Sequence, residues 1–569
     1  MKLKKYLYLI PYAMLFFLGC ARQTSPTGGP KDTIPPTLVK ANPPNGQTNF
    51  KAKEIELLFD ESVILNNPKE QIIITPDVGK EFTADVKKNK VILKIQNDLQ
   101  DTTTYAINFR ESIQDITEKN PATALKLAFS TGDYIDSLSI EGNIFNPLTS
   151  KEIKDATVAL YQSDTFDIFK HRPLYFSKTD TKGNYIIGNL KPGSYFIYAI
   201  DDRNKNLLAD SKSEAFGFLR EPIILKSNIK EKNIPLIHLD SRQLKLTSAR
   251  PSGTFFNIKT TKNLTTYSIK SSLGQPLHTS YGEDQANIRI YNTIQDYDSI
   301  QVTFQARDSI ENSIDTTFYV KFTKREIKPE AFKISLSTFD VIGTKGLING
   351  QVFYTKPLLK INFDSIFYRI DSMKTIPITS QDITIDSVAN TLSIKKTFDK
   401  ILLVKEPEAP KAPLDPTKTK KENKLENLKK PPKIPDHQLY IARGSFISIE
   451  LDSSNAATQT VTPSTLESTG ILFVQIETKT EHYVVQVLSK DHKKVISVPN
   501  NPKLAFEDLS PGEYQIRLII DTDANGAWSP GNFYTGQEPE KIIFYKNEKD
   551  QININLKANW ELGPLLIKH

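Results

Sequence analysis

Cysteine is nearly missing: Cys20 is the one cysteine in 569 residues. No internal disulfide can staple the fold, and no thiolate cluster is available for zinc. An excess of one charge is missing too. The formal net charge is +7, and setting aside Lys2, Lys4 and Lys5 of the leader leaves 70 basic against 66 acidic residues, a net of about +4. That balance is too mild to argue for a nucleic-acid partner, and no basic patch interleaved with aromatics suggests one. Sustained 3.6-residue periodicity is absent beyond the leader. No Gly-x-Ser-x-Gly elbow, Walker loop or dinucleotide fingerprint occurs, and GTKGLINGQ (343–351) lacks the Gly-Lys-Ser/Thr ending of a phosphate loop. His171, His238, His278, His437, His482, His492 and His569 show no HxxxH spacing. Acidic pairs such as Asp201 with Asp202, or Glu538 with Glu540, carry no sign of the fixed separation that glycosidic chemistry needs. The chain is expected to be non-enzymatic.

What is present begins with MKLKKYLYLIPYAMLFFLGC. Lysines, a short apolar run broken by Pro11 and a small residue before the cysteine form a signal peptide over residues 1–19. Leu18-Gly19-Cys20 resembles the lipobox of bacterial lipoproteins, although Phe17 stands where leucine is more usual. The resemblance implies a covalent lipid, palmitate among its acyl chains, on Cys20, and hence a stable membrane anchor. It also implies the outer membrane, because Ala21 follows where an aspartate would retain the protein at the inner one. The expected address is lipid-anchored and facing the cell surface, with the periplasmic face as the alternative. Residues 20–34, rich in Gly, Pro, Ser and Thr, read as a flexible tether.

From Pro35 onward the pattern is short strands. Ile300, Val302, Phe304 and Ala306 alternate with polar neighbours, as do Tyr514, Ile516, Leu518 and Ile520. The expected fold class is all-β: tandem Ig-like and transthyretin-like β-sandwiches. Residues 35–133 carry NPPNG, EIELLFDESV, TTTYAINFRESIQDITEKNP and LAFSTGD, and resemble the bacterial Ig-like domain of the SbsA type, with Asp60 in place of the usual serine. Together with Cys20 and the tether, this resembles lipoproteins common in Bacteroidota. Residues 137–240 carry Asp180, Gly183 and Tyr185, then Leu190, Pro192, Gly193 and Tyr195. That order resembles the carboxypeptidase regulatory-like, or transthyretin-like, β-sandwich. An Ig-like β-domain is expected over 241–328 and a further β-domain over 329–463, the latter holding a disordered insertion at 404–436 with seven prolines and nine lysines. A second regulatory-like sandwich is expected over 464–569.

The assignment of 464–569 rests on a repeat. LKPGSY at 190–195 aligns with LSPGEY at 509–514, an offset of 319 residues. Carried forward, the offset places Asp202, Asn204 and Asn206 on Asp521, Asp523 and Asn525 of DTDANGAW. Asp-x-Asp-x-Asn followed by Gly526 is the oxygen-rich pattern of a calcium loop. Against that, the twelfth position is Asn532 rather than a bidentate glutamate, and Asx residues cap turns without any ion. The first copy is the weaker candidate, with Arg203 and Lys205 inside it and Leu207 replacing the glycine. No cofactor is required; a structural calcium at the second copy would stiffen the loop. The expected function is a scaffold or binding subunit of the outer membrane. Its partners would be a β-barrel engaged in outer-membrane protein assembly or nutrient uptake, or other lipoproteins. A carbohydrate-binding or adhesive surface protein is the alternative.

Overall fold

The computed structural model describes residues 31–79, 81–163, 166–294, 297–323, 328–404 and 436–569. The signal peptide, Cys20, most of the tether and nearly all of the 404–436 insertion lie outside the described residues. Alternation becomes strand wherever one face finds a core. In Glu54–Phe59, Ile55, Leu57 and Phe59 are buried while their neighbours are half-exposed, and Ile300–Arg307 buries Ile300, Val302, Phe304 and Ala306 in the same way. Gly512–Ile520 departs from the expected half-wet strand: Gln515 and Ile519 are buried as well. Its outer face is covered by another part of the chain, and Arg517 donates to the Leu148 carbonyl at 3.0 Å. Among the described residues helix is confined to the single turn Pro68–Gln71 and short 3-10 turns, and none is long and apolar enough to cross a membrane.

The architecture is all-β, with Ig-like sandwiches in tandem. Five hydrophobic clusters follow one another along the chain, spanning residues 50–129, 140–236, 244–320, 332–446 and 472–567. Each lies among its own set of sheets. The second and fifth sandwiches share a topology. In both, the strand after the Pro-Gly turn (Gly193–Ile200, Gly512–Ile520) runs antiparallel to an earlier central strand (Thr157–Tyr161, Tyr483–Ser489). In both, the opposite sheet closes with a parallel pair, Leu138–Asn146 with Ile234–Pro235 and Gly470–Glu477 with Glu561–Lys568. The 404–436 insertion joins Thr391–Thr397 of one sheet of the fourth sandwich to Gln438–Ile441 of another, so it connects two sheets.

The sandwiches are not independent beads. Arg172 holds Asp77 through two contacts of 2.8 and 3.3 Å, and Arg110 pairs with Asp155 at 2.6 Å, tying the second sandwich to the first. The Tyr281 amide donates to the Val388 carbonyl between the third and fourth, and Lys345 reaches Glu507 and Asp508 between the fourth and fifth. A sixth apolar cluster then draws the second, third and fifth together, so the second to fifth sandwiches form a closed circuit. Within the first sandwich, Phe129 is fully buried against Phe50 and Tyr105. Phe129→Ala is expected to cost about 3–5 kcal/mol. Urea unfolding followed by limited proteolysis should show the first sandwich melting before the other four.

Candidate functional site

The repeat found in the sequence is a repeat in space. The Asn206 and Leu207 amides donate to Asp202 Oδ1 and Oδ2 at 3.0 and 3.2 Å. Their counterparts, the Asn525 and Gly526 amides, donate to Asp521 Oδ1 and Oδ2 at 3.0 and 2.9 Å. One register further along, Asn204 accepts from the Asn206 amide and Asp523 from the Asn525 amide. Asn206 and Asn525 in turn accept from the amides of Leu208 and Ala527. Short polar side chains that capture amides two to five residues ahead fold the loop without a sheet partner. Two positions in each copy take the left-handed conformation, Lys205 and Leu207 at φ 58° and 64°, Ala524 and Gly526 at 56° and 74°. Glycine suits that region; Leu207 holds it while its side chain is buried.

A second carboxylate, which the sequence did not reveal, closes each loop. Glu214 Oε1 accepts from the Arg203 amide at 3.0 Å and Oε2 from the Asp210 amide at 2.9 Å. Glu540 Oε1 accepts from the Thr522 amide at 2.6 Å and hydroxyl at 2.9 Å, and Oε2 from the Ser529 amide at 2.9 Å. Arg203 with Thr522 and Asp210 with Ser529 obey the 319-residue offset, so the amides held are equivalent. The glutamates break it. Four residues separate Asp210 from Glu214 and eleven separate Ser529 from Glu540. Both glutamates are buried, Glu214 at 1% and Glu540 at 4% exposure, and the amides they hold come from exposed or half-buried loop residues, so each acid ties the outer loop back to the sandwich.

The seven additional residues of the second copy make the junction. They carry Phe533, whose ring lies 5.3 Å from Phe169, 5.6 Å from Phe216, 5.4 Å from Phe218 and 6.3 Å from Tyr198, all in the second sandwich. Edge-to-face contacts at these separations are favourable beyond the area they bury. Asn532 donates to the Ile310 carbonyl of the third sandwich at 2.8 Å, and Glu538 accepts from the Arg220 amide at 2.8 Å. Trp528 packs into the same cluster and donates through Nε1 to the Glu540 carbonyl at 3.0 Å. The first copy adds Ala209 to the same cluster and also reaches the first sandwich, where Lys205 pairs with Glu70. Each copy of the loop therefore engages a neighbouring sandwich.

As a metal centre the second copy has a partial ligand set. Carboxylate oxygens of Asp521, Asp523 and Glu540 lie within 4.8 Å of one another, and among the described residues no other group of three His, Cys, Asp or Glu converges this way. Asn525 spends its Oδ1 on the Ala527 amide and its Nδ2 on Asp523 and Ser529. Asp521 and Glu540 already accept amides on both oxygens, so an ion there would have to share them. Three carboxylates fall short of the six to eight oxygens calcium takes, leaving the remainder to water. In the first copy Asp202 Oδ2 also accepts from the Thr157 hydroxyl, and Lys178 lies 3.8 Å away, a cation where a metal would sit.

Phe533→Ala is expected to cost roughly 1–3 kcal/mol of junction stability. Glu540→Ala, by releasing the Thr522 and Ser529 amides from their shared acceptor, should act in the same direction. Amide hydrogen exchange checks both. Each variant should speed exchange in Phe216–Phe218 across the junction as well as in 521–540, and the double variant should add little to either.

Among solved structures, the major pilin subunit of Bacillus cereus aligns over 76% of this chain and 99% of its own, at 10% identity and a TM-score of 0.13. Domains 1–6 of the surface-layer protein SbsC align over 92% and 68%, at 10% identity and 0.13. A tetra-tandem repeat from the extending region of a large adhesion protein aligns over 74% and 100%, at 12% identity and 0.15. At these scores the likeness does not extend to a shared arrangement. No curated protein matches the chain. Residues 32–131 match the model of the Big_5 family, the bacterial Ig-like domain, and the first sandwich is similar to that family.

Proposed function

We propose that the protein is a non-enzymatic surface scaffold. The observation that carries the reading is the use made of the repeated loop. Its buried carboxylates, Asp202 with Glu214 and Asp521 with Glu540, are occupied by backbone amides, and each loop grips an adjoining sandwich. Side chains engaged in this way fix one sandwich against the next and leave edge strands and loops for partners. The bacterial Ig-like match over residues 32–131 agrees with such a role.

The finer reading is a lipoprotein held in the outer membrane by lipid on Cys20, facing the cell surface and acting as an accessory of a β-barrel complex in outer-membrane protein assembly or nutrient uptake. It is supported by Leu18-Gly19-Cys20 and the residues around it. Metabolic labelling with a palmitate analogue should mark the wild type and leave Cys20→Ala unmarked. Affinity capture from gently solubilised membranes should recover a β-barrel in stoichiometric amount; recovery of the protein alone would overturn the accessory role. One observation favours the adhesive or carbohydrate-binding alternative. Phe367 and Tyr440 stack at 5.1 Å on one sheet, with the Arg369 guanidinium 5.4 and 5.6 Å from their ring centres. Binding on a glycan array that Tyr440→Ala abolishes would decide for it.

A calcium ion at Asp521, Asp523 and Asn525, with Glu540 beside them, belongs to the same reading as an optional stiffener of the loop. Calorimetry should show calcium heat on the wild type and none on Asp521→Ala. A flat titration on the wild type removes the ion from the reading.

A further inference from the structure

Between the first and second sandwiches lies a cleft of about 320 Å³, at the low end of the size range of small-molecule sites, which favour such junctions. Phe82 of the first sandwich and Phe176 and Leu207 of the second give it apolar walls. Six cationic and five acidic side chains also line it, leaving one positive charge in excess. Four of the cations are paired: Arg110 with Asp155, Arg172 with Asp77, Lys205 with Glu70 and Arg203 with Asp201. A fifth, Lys69, rests over the Phe82 ring and donates to the Phe82 carbonyl.

Lys178 is the sixth, and it is placed differently. Its side chain is only 13% exposed, and its ion pair with Asp202 Oδ2 is loose at 3.8 Å, beyond hydrogen-bonding distance. Asp202 is already engaged by the Asn206 and Leu207 amides and the Thr157 hydroxyl. Burial pushes the Lys178 ammonium below the usual lysine range, Asp202 and Asp155 restore only part of the loss, and Arg110 and Lys205 add to it. A largely desolvated ammonium with no acceptor in reach is costly, and an anionic ligand would supply one.

We propose that this cleft binds a small monocarboxylate with an apolar body, the carboxylate meeting the Lys178 ammonium and the body lying against Phe82, Phe176 and Leu207. The near balance of the remaining charges selects the class. A dianion such as phosphate would find a single unspent positive charge and five acids around it, whereas a monoanion matches the excess. The site is independent of the surface-scaffold reading.

Titration calorimetry on the full chain with 3-phenylpropionate as probe tests it. Saturable binding in the millimolar range or tighter is expected, at least tenfold weaker for Lys178→Met and at least tenfold weaker for the uncharged 3-phenylpropanamide. Lys226→Met, at an exposed cation of the second sandwich outside the cleft, should leave binding within about twofold. Inorganic phosphate should not compete. Absence of saturable binding, equal binding of acid and amide, or competition by phosphate would each overturn the proposal. Should Lys178→Met not fold, the acid-against-amide ratio on the wild type decides alone.

Discussion

A buried carboxylate that accepts backbone amides is the interaction on which this architecture depends. At the end of the Pro-Gly-Tyr strand in the second and fifth sandwiches, the chain leaves the sheet and must satisfy its amides without a neighbouring strand. Asp202 and Asp521 take the first of them, and Glu214 and Glu540 return from the far side of the loop to take the rest. Loops of this length are ordinarily surface features with freedom to move. Here two acids per loop turn the excursion into a fixed projection, and a fixed projection can present an aromatic ring to another domain.

The two copies show how duplication was put to different uses. Their hydrogen bonds correspond amide for amide up to Asp210 and Ser529. Beyond that point the second copy is longer by seven residues, and those residues hold Asn532 and Phe533. The shorter copy reaches the first sandwich through Lys205 and shapes the wall of the cleft around Lys178. The longer one crosses to the second and third. A polar framework conserved between the repeats thus supports two different contacts, because the contacts sit on the part of the loop that the framework leaves unconstrained.

Much of this was legible in the sequence, for definable reasons. Two-residue alternation in Ile300–Arg307 exposes its burial pattern directly, since one face is wet. The same reading overstates the wet face of Gly512–Ile520, whose far side is buried. The offset of 319 located the loops and their first carboxylates. It could not locate Glu214 and Glu540, because their equivalence holds in space and not along the chain. Phe533 carried no signal either: a single phenylalanine in a polar loop looks like any exposed aromatic until the rings it meets are known. Trp528 packs into the cluster shared with the second sandwich, a placement the loop's own sequence does not signal. Leu207 looked like a defect in the motif, yet it takes the same left-handed backbone as Gly526.

The closed circuit has a mechanical meaning. A pull applied between the first and the last sandwich would travel from Asp77 to Arg172, through the second sandwich, and across the rings around Phe533 into the fifth. The third and fourth sandwiches lie on the longer arm of that circuit and would carry no tension while the aromatic contact holds. Once it parts, together with the Arg517–Leu148 and Arg220–Glu538 hydrogen bonds beside it, the load shifts to the arm through Tyr281, Val388, Lys345 and Asp508, and the molecule lengthens without any sandwich unfolding. Phe533 is then the first link to yield, and the two middle domains are slack held in reserve.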